Sequence, residues 1–116
     1  MLEGCLAFQV VGEASDGLDA VRKSEELRPD LVLLDIDLPG LNGIEAARRI
    51  CAVAPDSVIL FVSGNQCPTI VHEALGIGNG TRGYVVKSDV AIDLLPALEA
   101  VTKNRQFVSG RISPLL

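Results

Sequence analysis

Pro29-Asp30-Leu31-Val32-Leu33-Leu34-Asp35-Ile36-Asp37-Leu38-Pro39-Gly40-Leu41-Asn42-Gly43 is the stretch around which the chain is organised. Four consecutive apolar residues, Leu31 to Leu34, stop at a carboxylate, and a second carboxylate follows two residues later. An apolar run bounded by turn signals reads as a central strand of a parallel sheet, buried on both faces. The Pro-Gly and Asn-Gly pairs behind it are loop chemistry. Asp35 then stands at the carboxyl end of the strand, the edge at which open α/β sheets bind ligands. Taken alone, Asp35 reads as a strand terminator and Asp37 as a turn residue. The surrounding chain changes that reading.

Upstream, Phe8 to Ala14 has the apolar, β-branched content of a first strand. Ser15-Asp16-Gly17 forms a turn and cap, and a helix is expected from Asp16 to Leu27. Its inner face is marked by Leu18, Val21 and Leu27, with Arg22, Lys23, Glu25 and Glu26 toward water. Arg28-Pro29 stops it. Met1 to Gly4 reads as the last turn of an earlier helix with its glycine stop.

Downstream, Ile44, Ala47, Ile50, Cys51 and Ala54 fall at helical spacing, and Pro55-Asp56 breaks the run. Val58 to Val62 is a second buried strand, ending at Ser63-Gly64. Pro68 opens a helix to about Ile77, a position proline suits. The glycine-rich break Gly76 to Gly80 leads to a strand from Gly83 to Val86, which ends at Lys87-Ser88-Asp89. With Asp93 as N-cap of the last helix, Pro96 falls in its first turn, where it costs little. Leu94, Leu95, Leu98 and Val101 are then its buried stripe. Gln106 to Ile112 reads as a weakly apolar tail, and Ser113-Pro114-Leu115-Leu116 gives no element of its own.

The 116 residues suit one small domain with a single core. With 48% apolar and 22% charged residues the chain is globular rather than disordered. The net charge of -5, with scattered Lys and Arg, is no nucleic-acid footprint. No apolar run approaches the ~18 residues of a membrane span, and the start is not a signal peptide. Cys5, Cys51, Cys67 and the lone His72 make no zinc pattern. An odd cysteine count suits a reducing interior, hence a cytoplasmic setting, with each cysteine as a small buried hydrophobe and His72 inert on a helix flank.

Alternating strands and helices imply a parallel sheet with helices on both faces. In that geometry Asp35, Ser63 and Lys87 end three strands along one edge. A carboxylate, a hydroxyl and an ammonium there suit an aspartate that accepts a phosphoryl group. Ser63 and Lys87 would bind the phosphoryl oxygens, whose charge needs neutralising.

Leu33-Leu34-Asp35-Ile36-Asp37-Leu38-Pro39-Gly40-Leu41-Asn42-Gly43, Val62-Ser63 and Gly83-Tyr84-Val85-Val86-Lys87-Ser88-Asp89 resemble receiver domains of bacterial two-component response regulators. Val10-Val11-Gly12-Glu13-Ala14-Ser15-Asp16-Gly17 resembles the LuxR/NarL-type subfamily, which usually carries a C-terminal helix-turn-helix. The resemblance runs over nearly the whole chain. It implies a flavodoxin-like, doubly wound α/β fold, with Asp35 as phosphoacceptor and Lys87 as the phosphate-binding lysine. Ser63 would be the switch hydroxyl and Tyr84 the aromatic rotamer switch. Asp35 and the carbonyl of Asp37 would be the part of a Mg²⁺ site present here. It further implies a sensor histidine kinase as phosphoryl donor, transcription as the output of the full-length protein, and a homodimer through the receiver surface. Direct nucleic-acid binding by this chain and membrane association are not expected.

Against that resemblance, the opening strand with its acidic pair and the first helix are expected to be missing from this sequence. The expectation is a single receiver over 1–116, incomplete at its N-terminus, with about four strands and four helices and no DNA-binding domain. It should hold Mg²⁺ more weakly than an intact receiver. Its open sheet edge should either take the Phe8–Ala14 strand or favour self-association. Two other readings compete. One is a degenerate receiver that serves only as a protein-interaction module, and the other is a small hydrolase with Asp35 as nucleophile.

Overall fold

A computed structural model describes residues 10–78 and 81–112 of the chain. Helix α1, Gly17–Leu27, starts at Asp16, whose carboxylate accepts the amide of Asp19 at 2.8 Å. It ends at Arg28, which takes the left-handed conformation at φ 45. Its buried residues are Gly17, Ala20 and Ser24, while Leu18 and Leu27 are exposed. The expected inner face is thus corrected for these two leucines. The face turned inward is the one with residues small enough to meet a neighbouring loop. A Cβ on Gly17 would lie 1.9 Å from the Leu41 carbonyl oxygen.

Strand β1 is Leu31–Leu34 and helix α2 is Gly43–Val53, capped by Asn42, whose side chain accepts the Glu45 amide at 3.0 Å. Strand β2 is Val58–Ser63, and α3 is Pro68–Leu75, with proline in its first turn as expected. Strand β3, Thr81–Val86, runs into a 3₁₀ turn at Lys87–Asp89 and then into α4, Val90–Thr102. Strand β4 is Phe107–Val108.

Among the described residues there are four helices and four strands, and the strands form one parallel sheet in the order β1-β2-β3-β4. Together with the four helices this is the expected α/β fold, with helices on both faces of a parallel sheet. Helices α1, α2 and α3 cover one face, around Ile50, Ile59, Phe61, Val71 and Tyr84. Among the described residues only α4 covers the other, packing Ala97, Leu98 and Val101 on Leu60 and Val85.

That uneven cover corrects the expectation for β1. The strand lies at the sheet edge among the described residues, only Leu34 is buried, and Leu33 is 50% exposed, on the α4 side of the sheet but beyond the strip that α4 covers. No strand forms over residues 10–14, the described part of the Phe8–Ala14 segment. Val10 and Val11 are exposed, and strand preference needs cross-strand neighbours that they do not meet. Met1 to Gln9, with Cys5, lie outside the described residues, as do Asn79 and Gly80 of the glycine-rich break.

The fourth strand comes instead from the segment expected to be a tail. It approaches β3 closely because residue 83 is glycine, where a Cβ would lie 2.6 Å from the Phe107 carbonyl oxygen. Helix α4 begins earlier than expected, so Pro96 lies in its interior and Asp93 is not its cap. The amide that proline lacks would have bonded the carbonyl of Ile92. Ile92 is 77% exposed, the side on which an unpaired carbonyl costs least. The same helix phase leaves Leu95 exposed, outside the buried stripe. Cys51 is partly buried, but Cys67 is exposed rather than buried, at the N-cap of α3. His72 is exposed, as expected.

Candidate functional site

The parallel register sets the site. Leu34 pairs with Phe61 and Ser63 with Val86, so Asp35, Ser63 and Lys87 emerge side by side at the carboxyl ends of β1, β2 and β3. The Lys87 ammonium donates to Asp35 Oδ2 in an ion pair that joins the outer two positions. The Asp37 amide donates to Asp35 Oδ1 at 3.1 Å. Burial works against charge on Asp35, but Lys87, the Asp37 amide and the Ser63 hydroxyl outweigh it and hold the carboxyl below its ordinary range.

Ser63 is fully buried, and its Oγ accepts the Asn65 amide at 3.1 Å. Tyr84, also fully buried, donates its hydroxyl to the Asn65 carbonyl at 2.6 Å. Its ring lies 6.0 Å from that of Phe61. Burial raises the Tyr84 phenol above its ordinary value, the Ser63 hydroxyl opposes this, and the charges of Asp37 and Asp35 add to the rise. The chain thus brings Asp35, Ser63 and Lys87 together at the strand ends, with Tyr84 linked to Ser63 through Asn65. Asp37 is exposed on the loop beside them.

Sequence reasoning missed Asn65, which reads as a plain loop residue. It also undervalued Gly43, whose amide donates to the Ile36 carbonyl at 2.8 Å. A Cβ on Gly43 would sit 1.9 Å from the Asp35 carbonyl oxygen, so the start of α2 can brace the Asp35 backbone only as glycine. The Asn-Gly pair signalled a turn, and nothing local signalled that contact. Beside the site opens a cleft of about 470 Å³, lined among others by Asp37, Asn42, Glu45, Arg48, Asn65 and Glu73.

Among the described residues no group of three or more His, Cys, Asp or Glu side chains is placed to hold a metal ion. Asp35 offers a carboxylate and Asp37 a backbone carbonyl, which suits the mode in which Mg²⁺ keeps several waters and shares one or two carboxylates with phosphate oxygens. They do not make an all-protein cage. Among the described residues no helix is long and apolar enough to cross a membrane.

Fold and site together define a class: a flavodoxin-like α/β domain with a carboxylate, a buried hydroxyl and an ammonium along its carboxyl edge. Residues 1–99 match the family model of the response regulator receiver domain, and the chain belongs to that family of two-component signalling domains. It is 31% identical over 119 residues to the response regulator GacA of Pseudomonas viridiflava, covering 100% of this chain and 53% of that protein. It is 38% identical over 96 residues to the chemotaxis protein CheY of Listeria monocytogenes, covering 83% of this chain and 79% of that one. Among solved structures it resembles a LuxR-family two-component response regulator from Aurantimonas sp. SI85-9A1, with TM-score 0.86 and 35% identity over 94% of this chain and 76% of that one. It also resembles the isolated receiver domain of RcsB from Salmonella enterica serovar Typhimurium with the phosphomimetic BeF3-, with TM-score 0.83 and 28% identity over 93% of this chain and 79% of that one. The chain spans about half the length of the GacA relatives it matches, 53% of each.

Proposed function

We propose that Asp35 accepts a phosphoryl group from a phosphohistidine of a sensor histidine kinase in the cytoplasm, and that the resulting change at Ser63 and Tyr84 controls an output. The observation that carries this reading is the Lys87–Asp35 ion pair, with the buried Ser63 at the strand end between them. In the step, a carboxylate oxygen of Asp35 forms a bond to phosphorus as the phosphorus–nitrogen bond of the donor breaks. The imidazole leaves with the bonding pair and takes up a proton. Asp35 is held ionised, so a nucleophilic oxygen is present at neutral pH. Lys87 is already beside that oxygen and moves its charge to the phosphoryl oxygens as they arrive. Ser63 supplies a hydroxyl donor from the neighbouring strand end.

Asp35 and Asp37 would hold Mg²⁺, which supplies further charge neutralisation at the phosphoryl oxygens when bound. Tyr84 lies buried with its hydroxyl on Asn65, two residues from Ser63, and so stands where a pull on Ser63 would reach it. This makes the domain an acceptor and switch rather than an enzyme of turnover. Its output surface meets protein, a second receiver included, and in a longer protein of the kind of the transcriptional regulatory protein LiaR of Bacillus subtilis it controls transcription.

Incubation with acetyl phosphate and Mg²⁺ tests the reading by intact mass. The account expects a gain of one phosphoryl group, lost in Asp35→Asn. No gain in the wild type would leave the interaction-module reading in its place. Turnover of a phosphomonoester would point to the hydrolase.

A further inference from the structure

The backbone around Lys87 is gripped by the segment Phe107 to Ile112, whose first two residues pair with β3. Tyr84 O accepts the Ser109 amide at 3.0 Å. Two residues on, the Val86 amide donates to Ser109 Oγ at 3.0 Å, and that hydroxyl donates in turn to Asp93 Oδ2 at 2.8 Å. β4 is only two residues long, so the ladder ends before it reaches Val86, and the serine hydroxyl takes over as acceptor. Ser109 is fully buried, so a donor left alone there would be costly.

On the other side of Lys87, the Arg111 guanidinium closes on both carboxylate oxygens of Asp89, Nε to Oδ2 and Nη2 to Oδ1, each at 3.0 Å. Ile112 then buries itself in the core cluster that holds Phe61, Tyr84 and Val86. Lys87 thus lies between Val86, whose amide Ser109 holds, and Asp89 two residues on, whose carboxylate Arg111 holds. Its own ammonium reaches across to Asp35.

We infer that the segment from Phe107 to Ile112 is a clasp that positions Lys87, with Ser109 and Arg111 as its positioning residues, and that the clasp is coupled to the Lys87–Asp35 ion pair. Neither residue touches Asp35. Both act by fixing the backbone from which the lysine extends. Linkage makes the coupling reciprocal, so removing the ion pair must loosen the clasp as surely as opening the clasp frees the lysine. The role in phosphoryl transfer rests on the function proposed above. The mechanical coupling does not.

The test uses the full chain and three pairs of variants. Asp93→Ala removes the acceptor of the Ser109 hydroxyl, whereas Asp93→Asn keeps an oxygen there. Both lose the same charge in the first turn of α4, so their difference isolates the hydrogen bond. Ser109→Ala opens the clasp from the inside, and Arg111→Gln, at an exposed position, opens it from the outside where the buried variant fails to fold. Lys87→Met and Asp35→Asn remove the ion pair.

Three quantities are read: the ¹⁵N signal of the Lys87 ammonium, amide hydrogen exchange, and the rate of phosphoryl uptake from acetyl phosphate. In the wild type the Lys87 ammonium is expected to be protected relative to the exposed Lys103. Asp93→Ala, Ser109→Ala and Arg111→Gln lose that protection, and Asp93→Asn keeps it. Lys87→Met speeds exchange of the Val86 and Ser109 amides by roughly 5- to 50-fold, within the usual range of coupling, and leaves the α2 amide of Ile50 unchanged. Uptake slows in the three clasp variants and not in Asp93→Asn.

A Lys87 ammonium no better protected than Lys103 would overturn the inference. So would clasp variants that lower the melting temperature while leaving the ammonium untouched, which is the mark of a structural role alone. A wild type that takes up no phosphoryl group refutes the proposed function, while the ammonium signal and the amide exchange still decide the clasp.

Discussion

Replacing Gly43 by alanine should damage the fold and the site together. A Cβ there would lie 1.9 Å from the Asp35 carbonyl oxygen and 2.7 Å from its carbon. Carbon and oxygen in ordinary contact stay about 3.3 Å apart, so the loop after β1 must retreat by roughly 1 Å or more. Backbone cannot swing aside as a side-chain tip can. Overpacking of this kind costs about 1–3 kcal/mol, and losing the 2.8 Å bond from the Gly43 amide to Ile36 costs about 1 kcal/mol more. The sum, about 2–4 kcal/mol, corresponds to a fall in Tm of roughly 8–20 °C for a domain of this size. Gly64 is the control. Nothing lies within 4 Å of a Cβ built there, so Gly64→Ala should stay within about 0.5 kcal/mol of the wild type. Thermal melts of the three proteins by circular dichroism decide it. A Gly43→Ala melt within about 3 °C of the wild type would refute the close approach that anchors Asp35.

The ion pair gives a pH prediction. The folded Asp35 carboxyl lies below its ordinary value, so its contribution to stability is present above about pH 4–5 and is lost as pH falls through the folded value. The gap in Tm between the wild type and Lys87→Met should be steady from pH 8 to 6 and close toward pH 3; a gap that widens in acid would contradict this. Tyr84→Phe leaves the Asn65 carbonyl without its 2.6 Å donor and should cost about 1 kcal/mol in urea unfolding, and an unchanged midpoint would count against the buried bond. Pro96→Ala restores an amide to the interior of α4 and should stabilise by about 1–3 kcal/mol. A loss of stability would show that the proline is needed where it stands.

The parts legible in the sequence are those fixed by local pattern. The strand ends at Asp35, Ser63 and Lys87 could be placed because an apolar run stops at each, and their meeting followed from parallel topology alone. What was illegible depended on neighbours far along the chain. Phe107–Val108 is too short to show a period, and it becomes a strand only because Gly83 lets it approach. Leu18 and Leu33 read as core by type, but apolar character does not say whether a partner layer exists to cover them. Val10 and Val11 have strand composition and form none over the described residues, since a strand is a property of a pair. Pro96 was placed by its helix cost in the first turn. The structure accepts it in the interior because its missing partner faces water.

The central claim is that Asp35 is where the phosphoryl group goes, and locating that bond tests it most directly. After incubation with acetyl phosphate and Mg²⁺, borohydride reduces an acyl phosphate to the alcohol, so a phosphorylated aspartate is read by peptide mass spectrometry as homoserine. The account predicts homoserine at position 35 alone and none in Asp35→Asn. Homoserine at Asp37 or another acidic position, or equal labelling of Asp35→Asn, would contradict it.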